Sequence, residues 1–104
     1  NESIHFNINY FDAEGLIGGF KFQNTTNYDT DSLDLKNGIY GVNETISGIL
    51  NPPPIRYGCL INFIGRNISG NLATNNGIQI CISTDNKIRA RMLWGSWKEW
   101  IDIL

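Results

Sequence analysis

The residues of this chain best suited to chemistry are its three tryptophans, which all lie in the C-terminal stretch "LWGSWKEWIDIL". Trp94, Trp97 and Trp100 follow one another at a spacing of three residues. An indole offers a large apolar surface and one N–H donor, so it can fill a core or lie against an apolar partner. The segment therefore predicts a helical stripe, a sugar-stacking platform or the closing strand of a small β core.

The local sequence disfavours the helix, because Gly95 and Ser96 interrupt it and β-branched or aromatic residues flank it. A tight turn at "WGS" instead predicts a hairpin whose arms are "KIRARML" and "WKEWIDIL". On a strand, residues three apart point to opposite faces. We therefore expect one of Trp97 and Trp100 inside and the other near the surface, unless a bulge places both on one face.

Other residue types that perform catalysis form no convincing group. Glycoside hydrolysis needs two carboxylates roughly 5–10 Å apart. Asp29, Asp31 and Asp34 cluster, but they fit better as capping residues of a turn. A single histidine, His5, leaves no basis for a Ser/His/Asp or Cys/His arrangement. We expect no enzyme activity, no cofactor and no metal site.

The two cysteines are too far apart in sequence for a CxxC site. Cys59 and Cys81 each lie in an apolar run, "YGCLINFI" and "IQICIS". Each is expected to be a small buried hydrophobic residue with a free thiol.

Composition excludes two classes of partner. The chain has 104 residues, a formal net charge of −2 and 17% charged residues, with no cluster of Lys and Arg. Such a surface cannot neutralise a run of phosphates, so nucleic-acid binding is not expected. The apolar runs are too short for membrane insertion. The length predicts a single domain with a modest core.

The elements that position these residues are mostly strands, because apolar residues recur with a period of two. Strands are predicted at "SIHFNINYF", "GIYGVN", "RYGCLINFIG", "GIQICIS" and "KIRARML". In "KIRARML" one face is apolar and the other carries Lys87, Arg89 and Arg91. "TDNK" is a turn, "NPPP" a stiff connector, "GRNISGNLATNNG" a long polar loop and "DSLDLKNG" one turn of helix. The fold class is mainly β, a small antiparallel sheet or sandwich with at most one short helix.

The order of these elements resembles the knob-type domains of phage tail fibres and of phage-tail-like bacteriocins. The matching stretches are "SLDLKNGIYGV", "NPPPIRYGCLINF", "IQICIS", "KIRARM" and "GSWKEW". The register that matches best aligns Trp97 and Trp100 with the family's tryptophan pair and leaves Trp94 as an extra indole. A shift of three residues would use Trp94 and Trp97 instead. The three prolines and the long polar loop depart from the family pattern.

The resemblance implies a receptor-binding head in a virion tail. Residues 28–104 would form the head, and residues 1–27 a neck or an added strand pair leading to a shaft. Since such fibres are usually homotrimers, we expect self-association. The glycine-containing stretch "YFDAEGLIGGF" is the expected contact between subunits.

The first functional hypothesis is non-catalytic recognition of a bacterial surface polysaccharide or a teichoic-acid-like glycan. A sugar ring lies on an indole, and its hydroxyls bond to planar polar side chains. The expected binding residues are Trp94, Arg89, Arg91, Asn71, Asn75 and Asn76. At each position the competing interpretation is structural: a turn anchor, surface charges, or loop residues.

Two further hypotheses remain open on the sequence. The domain is a structural spacer or trimerisation module of a fibre, or it is a secreted carbohydrate-binding module. A disulfide between Cys59 and Cys81 would favour the secreted module.

Overall fold

The computed structural model describes residues 20–45, 48–66 and 72–104, apart from the side chains of residues 73–75. In this part the chain is mainly β and contains no helix. Seven strands form one mixed sheet in the order β1-β2-β3-β4-β5-β6, and β7 also pairs with β5. The strands are β1 (Lys21–Gln23), β2 (Gly38–Asn43), β3 (Tyr57–Arg66), β4 (Leu72–Ser83), β5 (Ile88–Trp94), β6 (Ser96–Trp97) and β7 (Ile101–Asp102).

The strands predicted at "GIYGVN", "RYGCLINFIG", "GIQICIS" and "KIRARML" are confirmed as β2 to β5. These four strands pair antiparallel with one another, whereas β1 pairs parallel with β2. β1 belongs to the stretch expected to form a neck, and it joins the same sheet as the rest. The predicted strand "SIHFNINYF" lies outside the described residues, as does all of "YFDAEGLIGGF" except Phe20.

Local residue types explain the two reversals on either side of β5. The predicted "TDNK" turn joins β4 to β5, and Asn86 takes the left-handed conformation there with φ of 68°. Asparagine tolerates that region better than most residues, and it suits a hairpin loop closed by a bulge. The reversal from β5 to β6 lies at Gly95, whose φ is 79°. Glycine adopts that angle without a steric penalty.

Two local predictions differ from the structure. Part of "GRNISGNLATNNG" is strand rather than loop, because β4 begins at Leu72. Asparagine has a poor strand propensity, but β4 pairs with β3 on one side and with β5 on the other. Leu72 lies opposite Arg66 of β3, and Asn76 lies opposite Trp94 of β5. The helical turn predicted at "DSLDLKNG" is a pair of tight turns, in which Ser32 N–H bonds Asp29 C=O and Leu35 N–H bonds Ser32 C=O.

The C-terminal arm of the hairpin contains a one-residue bulge. Trp97 lies opposite Leu93 in the β5–β6 pair. Continued without interruption, that register would place Trp100 opposite Ala90, but Ile101 occupies this position. The extra residue returns Trp100 to the face on which Trp97 lies.

The register divides the strand residues between two faces of the sheet. The inner face, covered by the loops around residues 24–37 and 48–56, carries Tyr40, Val42, Leu60, Asn62, Ile64, Gln79, Cys81, Arg89, Arg91 and Leu93. The outer face carries Phe22, Ile39, Cys59, Ile61, Phe63, Ile78, Ile80, Ile82, Ile88, Ala90, Met92, Trp94 and Ile101. The apolar face of "KIRARML" is therefore the outer one, and its arginines point inward.

The main apolar core lies on the inner face. The loop of residues 24–37, here called the covering loop, contributes Tyr28 and Leu35. They pack on Tyr40, Val42, Leu60 and Cys81 of the sheet, and Trp100 closes one side. The rings of Tyr28 and Tyr40 lie 4.7 Å apart, a separation at which aromatic pairs attract. None of the described residues belongs to a helix long and apolar enough to cross a membrane.

Candidate functional site

The exposed indole predicted for sugar contact lies on the outer face, beside the reversal at Gly95. Trp94 is 67% exposed, although it ends a strand whose inner residue Leu93 is fully buried. Directly opposite it on β4 is Asn76. Phe63, Ile78 and Met92 continue the surface away from this pair, and together they line an open cavity of about 440 Å³.

This cavity combines apolar walls with one polar side chain at its rim. Its walls are mainly aromatic and aliphatic, and Asn76 supplies an amide at its rim. Such a mixture suits a ligand with an apolar face and hydroxyls at its edge. The strand pairing fixes the spacing of Trp94 and Asn76, so a flexible loop does not set it.

The other asparagines of the predicted site are placed differently. Asn71 lies outside the described residues. Asn75 lies in β4, and its side chain is not described. Asn75 and Asn76 therefore belong to a strand, whereas the sequence had indicated a loop.

Arg91 lies on the inner face, away from Trp94. Its side chain is only 8% exposed and forms an ion pair with Asp31, with 2.6 Å between Nη2 and Oδ1. Its Nε donates to Gln79 Oε1 at 2.8 Å. A buried charge needs this degree of pairing, because desolvation without it costs several kcal/mol.

Two indoles enclose the same guanidinium. Its carbon lies 4.5 Å from the ring centre of Trp97 and 4.6 Å from that of Trp100. Such contacts contribute about 0.5–2 kcal/mol each. The indole N–H of Trp97 also donates to Asp31 C=O at 3.2 Å. These two tryptophans therefore hold the C-terminal arm to the covering loop, and the bulge allows both to reach Arg91.

A row of polar side chains, here called the inner ladder, runs from Arg91 across the sheet through Gln79 to Asn62. These residues are cross-strand neighbours on β5, β4 and β3. Gln79 Nε2 donates to Asn62 Oδ1 at 2.9 Å and to Thr30 C=O at 2.7 Å. Asn62 Nδ2 donates to Leu35 C=O at 3.0 Å. The ladder thus anchors the covering loop at several points.

Asn37 extends this anchoring at the end of the covering loop. Its Nδ2 donates to Ile64 C=O at 2.9 Å, and its Oδ1 accepts from Ile64 N–H at 2.7 Å. One side chain thereby satisfies both backbone groups of a strand residue, as a neighbouring strand would. Asn37, Asn62 and Gln79 were not among the residues that the sequence indicated for a site. For Asn62 and Gln79, the signal in the sequence is a single polar residue within an otherwise apolar run of a strand. Asn37 precedes β2 and has no such signal.

Arg89 also lies on the inner face, nearer the turn between β4 and β5. Its Nε is 2.9 Å from Asp102 Oδ1, and its Nη1 donates to Pro54 C=O at 2.6 Å. It lines a second cavity of about 290 Å³ together with Arg56 and Lys87. The structure therefore brings Trp94 and Asn76 together, and it places Arg89 and Arg91 on the opposite face.

Two of the clustered carboxylates, those of Asp29 and Asp31, are engaged in structural contacts. Asp29 Oδ1 accepts from Asn51 Nδ2 and from Asp31 N–H, each at 2.9 Å. The hydrogen bond from Asn51 is the main reason that the pKa of Asp29 is lowered. Asp31 binds Arg91 as described. In the described part of the chain, no three His, Cys, Asp or Glu side chains converge as metal ligands do.

The two thiols are free and lie on opposite faces of the sheet. Cys59 is opposite Ile82 on the outer face, whereas Cys81 is opposite Leu60 on the inner face. Burial raises the pKa of Cys81. The sheet therefore separates the two side chains and prevents a disulfide between them within one chain.

No protein-family model, no curated protein and no solved structure matches this chain. The fold and the site define its class directly: a mainly β domain built on one mixed sheet. One face of this sheet holds buried polar anchors, and the other ends in an exposed aromatic cavity.

Proposed function

We propose that this chain is the non-catalytic receptor-binding head of a phage or phage-like tail fibre, and that it recognises a glycan of the bacterial surface. The observation that carries the proposal is the pairing of Trp94 with Asn76 on the rim of the 440 Å³ cavity. The order of the sequence elements, which resembles knob-type domains, supplies the biological setting. A polysaccharide or a teichoic-acid-like polymer of the cell wall is the proposed ligand.

The exposure of Trp94 supports this assignment. Trp94 is 67% exposed, and a large apolar side chain that remains in water contributes little to folding. A sugar ring that covers the indole would remove apolar surface from water, and Asn76 would bond a hydroxyl at the ring edge. The arginines on the inner face are already paired and lie on the opposite side of the sheet from Trp94, so the proposed site does not include them.

The test is binding of the full chain to an array of bacterial surface glycans and to purified wall teichoic acid. Trp94→Ala should weaken the strongest interaction by about tenfold or more, equivalent to about 1.4 kcal/mol. Thermal unfolding should change little, because the side chain is exposed. Phe22→Ala is the matched control, since Phe22 is an exposed aromatic residue at the far edge of the same face. Its glycan binding should equal that of the wild type.

Equal binding by wild type and Trp94→Ala would remove the site. A wild type that binds none of these glycans would remove the function. The structural-spacer hypothesis would then be preferred, because one observation favours it independently: the apolar outer face is suited to assembly.

A further inference from the structure

Trp94 has a polar neighbour on each side across the strands, and the cavity reaches only one of them. Asn76 of β4 lies opposite Trp94 on one side and lines the cavity. Ser96 of β6 is paired with Trp94 on the other side. Directly opposite residues of neighbouring strands have Cβ atoms about 4.5–5.5 Å apart. The outer face therefore carries an amide, an indole and a hydroxyl side by side, here called the outer row.

Ser96 is accessible from the indole of Trp94. Ser96 is exposed, and it lies on the outer face because the next residue, Trp97, points inward to Arg91. Gly95, between Trp94 and Ser96, has no side chain, and a Cβ placed there would meet no atom within 4 Å. A ligand that lies on the indole can therefore continue to Ser96 without an obstruction.

The two sides of the site differ in how they end. On the β3 side the cavity is bounded by Phe63, and the ring of Phe20 packs against Phe63 with 5.8 Å between the ring centres. On the other side β6 is the last strand in the sheet order, so among the described residues no strand lies beyond Ser96. A ligand longer than the cavity therefore extends over Trp94 towards Ser96.

The width of the site indicates the length of its ligand. From Phe63 on β3 to Ser96 on β6 there are three strand spacings, about 14 Å in total. This distance exceeds the size of a single sugar ring. A ring in the cavity beside Asn76 leaves Ser96 out of reach, whereas a second ring linked directly to the first reaches it.

The outer row also restricts the charge of the ligand. None of the described residues that line the cavity is charged, and Ser96 is neutral. Amide and hydroxyl groups both donate and accept hydrogen bonds, which suits the hydroxyls of a sugar. A phosphodiester in the same place would lose its hydration with no cation beside it, and that desolvation is costly.

We propose that Ser96 forms a second subsite and that the ligand is a polysaccharide with two adjacent, directly linked neutral sugar rings lying across the outer row. The first ring lies in the cavity beside Asn76. The second continues over Trp94 to the hydroxyl of Ser96. This inference rests on the proposed function, and it selects a polysaccharide over a polyol-phosphate teichoic acid.

The test is the affinity of the full chain for ligands of increasing length, measured by isothermal titration calorimetry. The probes are soluble mono-, di- and trisaccharides of the array glycan that binds most strongly, and purified poly(glycerol phosphate) teichoic acid. For the wild type, the disaccharide should bind about tenfold or more tightly than the monosaccharide. The trisaccharide should add less than about threefold, because the described sheet ends at Ser96.

Two variants of Ser96 separate the subsites. Ser96→Leu fills the second subsite, so it should lower the disaccharide affinity to that of the monosaccharide and leave monosaccharide binding unchanged. Ser96→Ala removes only the hydroxyl and should weaken disaccharide binding about fivefold. Thr84→Ala is the matched control, because Thr84 is exposed in the turn at the other end of the β4–β5 pair. It should bind both sugars as the wild type does, and all three variants should keep the wild-type unfolding temperature.

Three results would overturn the second subsite and leave the proposed function standing, provided that Trp94→Ala still weakens binding. They are equal affinities for the mono- and disaccharide, an unchanged length dependence in Ser96→Leu, and a wild type that binds only the poly(glycerol phosphate). A wild type that binds no glycan would overturn the proposed function and this inference together.

Discussion

The two faces of this sheet differ in a way that reverses the usual arrangement. The inner face buries Asn62 and Gln79 completely, together with Asn37 of the covering loop. The outer face leaves Met92 and Trp94 more than half exposed. Polarity alone therefore does not decide which face of a small sheet is inside. The availability of partners does, because a buried polar group with its hydrogen bonds satisfied is tolerated, whereas one without them is costly.

The polar groups of the inner face are tolerated because they form a series of hydrogen bonds, each residue donating to the next. Arg91 donates to Gln79, Gln79 donates to Asn62, and Asn62 donates to backbone carbonyls of the covering loop. Each donor in this series has an acceptor, and Asp31 pairs with the charge at its end. Such a network specifies one arrangement of loop and sheet, since a shift would leave several groups unpaired. The outer face, by contrast, presents mainly aliphatic and aromatic side chains.

The largest effect on this comparison should come from breaking the inner ladder at its centre. Gln79→Leu keeps the side-chain volume similar but leaves Arg91 Nε and Asn62 Oδ1 without their partner, and it removes one of the two donors to Thr30 C=O. We expect the free energy of unfolding to fall by about 2–4 kcal/mol. Chemical denaturation followed by tryptophan fluorescence measures it.

Asn24→Leu is the control, because Asn24 is an exposed loop residue and the same kind of exchange there should change stability by less than about 0.5 kcal/mol. If Gln79→Leu were as stable as the wild type, the ladder would not hold the covering loop.

An intermediate effect is expected from pH, through the tyrosines of the inner core. Burial raises the pKa of Tyr40 from 10.0 to about 12 and shifts that of Tyr28 in the same direction. Folding thus favours the neutral phenols. The stability that this provides is complete below pH 10 and is lost as the pH rises towards 12. The loss from Tyr40 alone should be about 2 kcal/mol.

Unfolding measured between pH 8 and pH 12 tests this dependence. Tyr40→Phe lacks the ionisable group, so its stability should decline less steeply over that range. A variant that declines as steeply as the wild type would show that other groups dominate the alkaline transition.

The smallest effect concerns the reversal that presents Trp94 on the outer face. Gly95→Ala should lower stability by about 1 kcal/mol, because alanine is strained at φ of 79° even though its Cβ would meet no atom within 4 Å. Gly41→Ala is the matched control, since it also has open space and has an ordinary strand conformation. Thermal unfolding should show no loss for Gly41→Ala. Equal losses of stability in Gly95→Ala and Gly41→Ala would mean that the positive φ of Gly95 does not disfavour alanine.

The sequence predicted the strands and turns well because those depend on local patterns. The alternation in "GIQICIS" and "KIRARML" and the turn residues "TDNK" indicated β4, β5 and the reversal between them. The turn predicted at "WGS" is confirmed as the second reversal, at Gly95. Among the predicted site residues that the structure describes with side chains, Trp94 and Asn76 lie together, whereas Arg89 and Arg91 alternate to the other face.

Features that depend on distant pairing were not predictable. The early start of β4 depends on the pairing of Leu72 with Arg66 and of Asn76 with Trp94, and no local pattern marks either pair. The sequence left open whether a bulge turns Trp100 inward. In the structure it does, and Arg91 lies between the indoles of Trp97 and Trp100. Asn37 was missed because its role becomes visible only when Ile64 lies beside it.

By itself, the sequence determined that this chain forms a mainly β domain with two chemically distinct sheet faces, because a period of two assigns alternate residues to opposite sides. The same pattern does not say which side is covered. Only the tertiary structure decided that, by placing the carbonyls of the covering loop and Asp31 over Asn62, Gln79 and Arg91. Those partners make the polar face the interior one, and they leave the isoleucine face with Trp94 at its end facing outward.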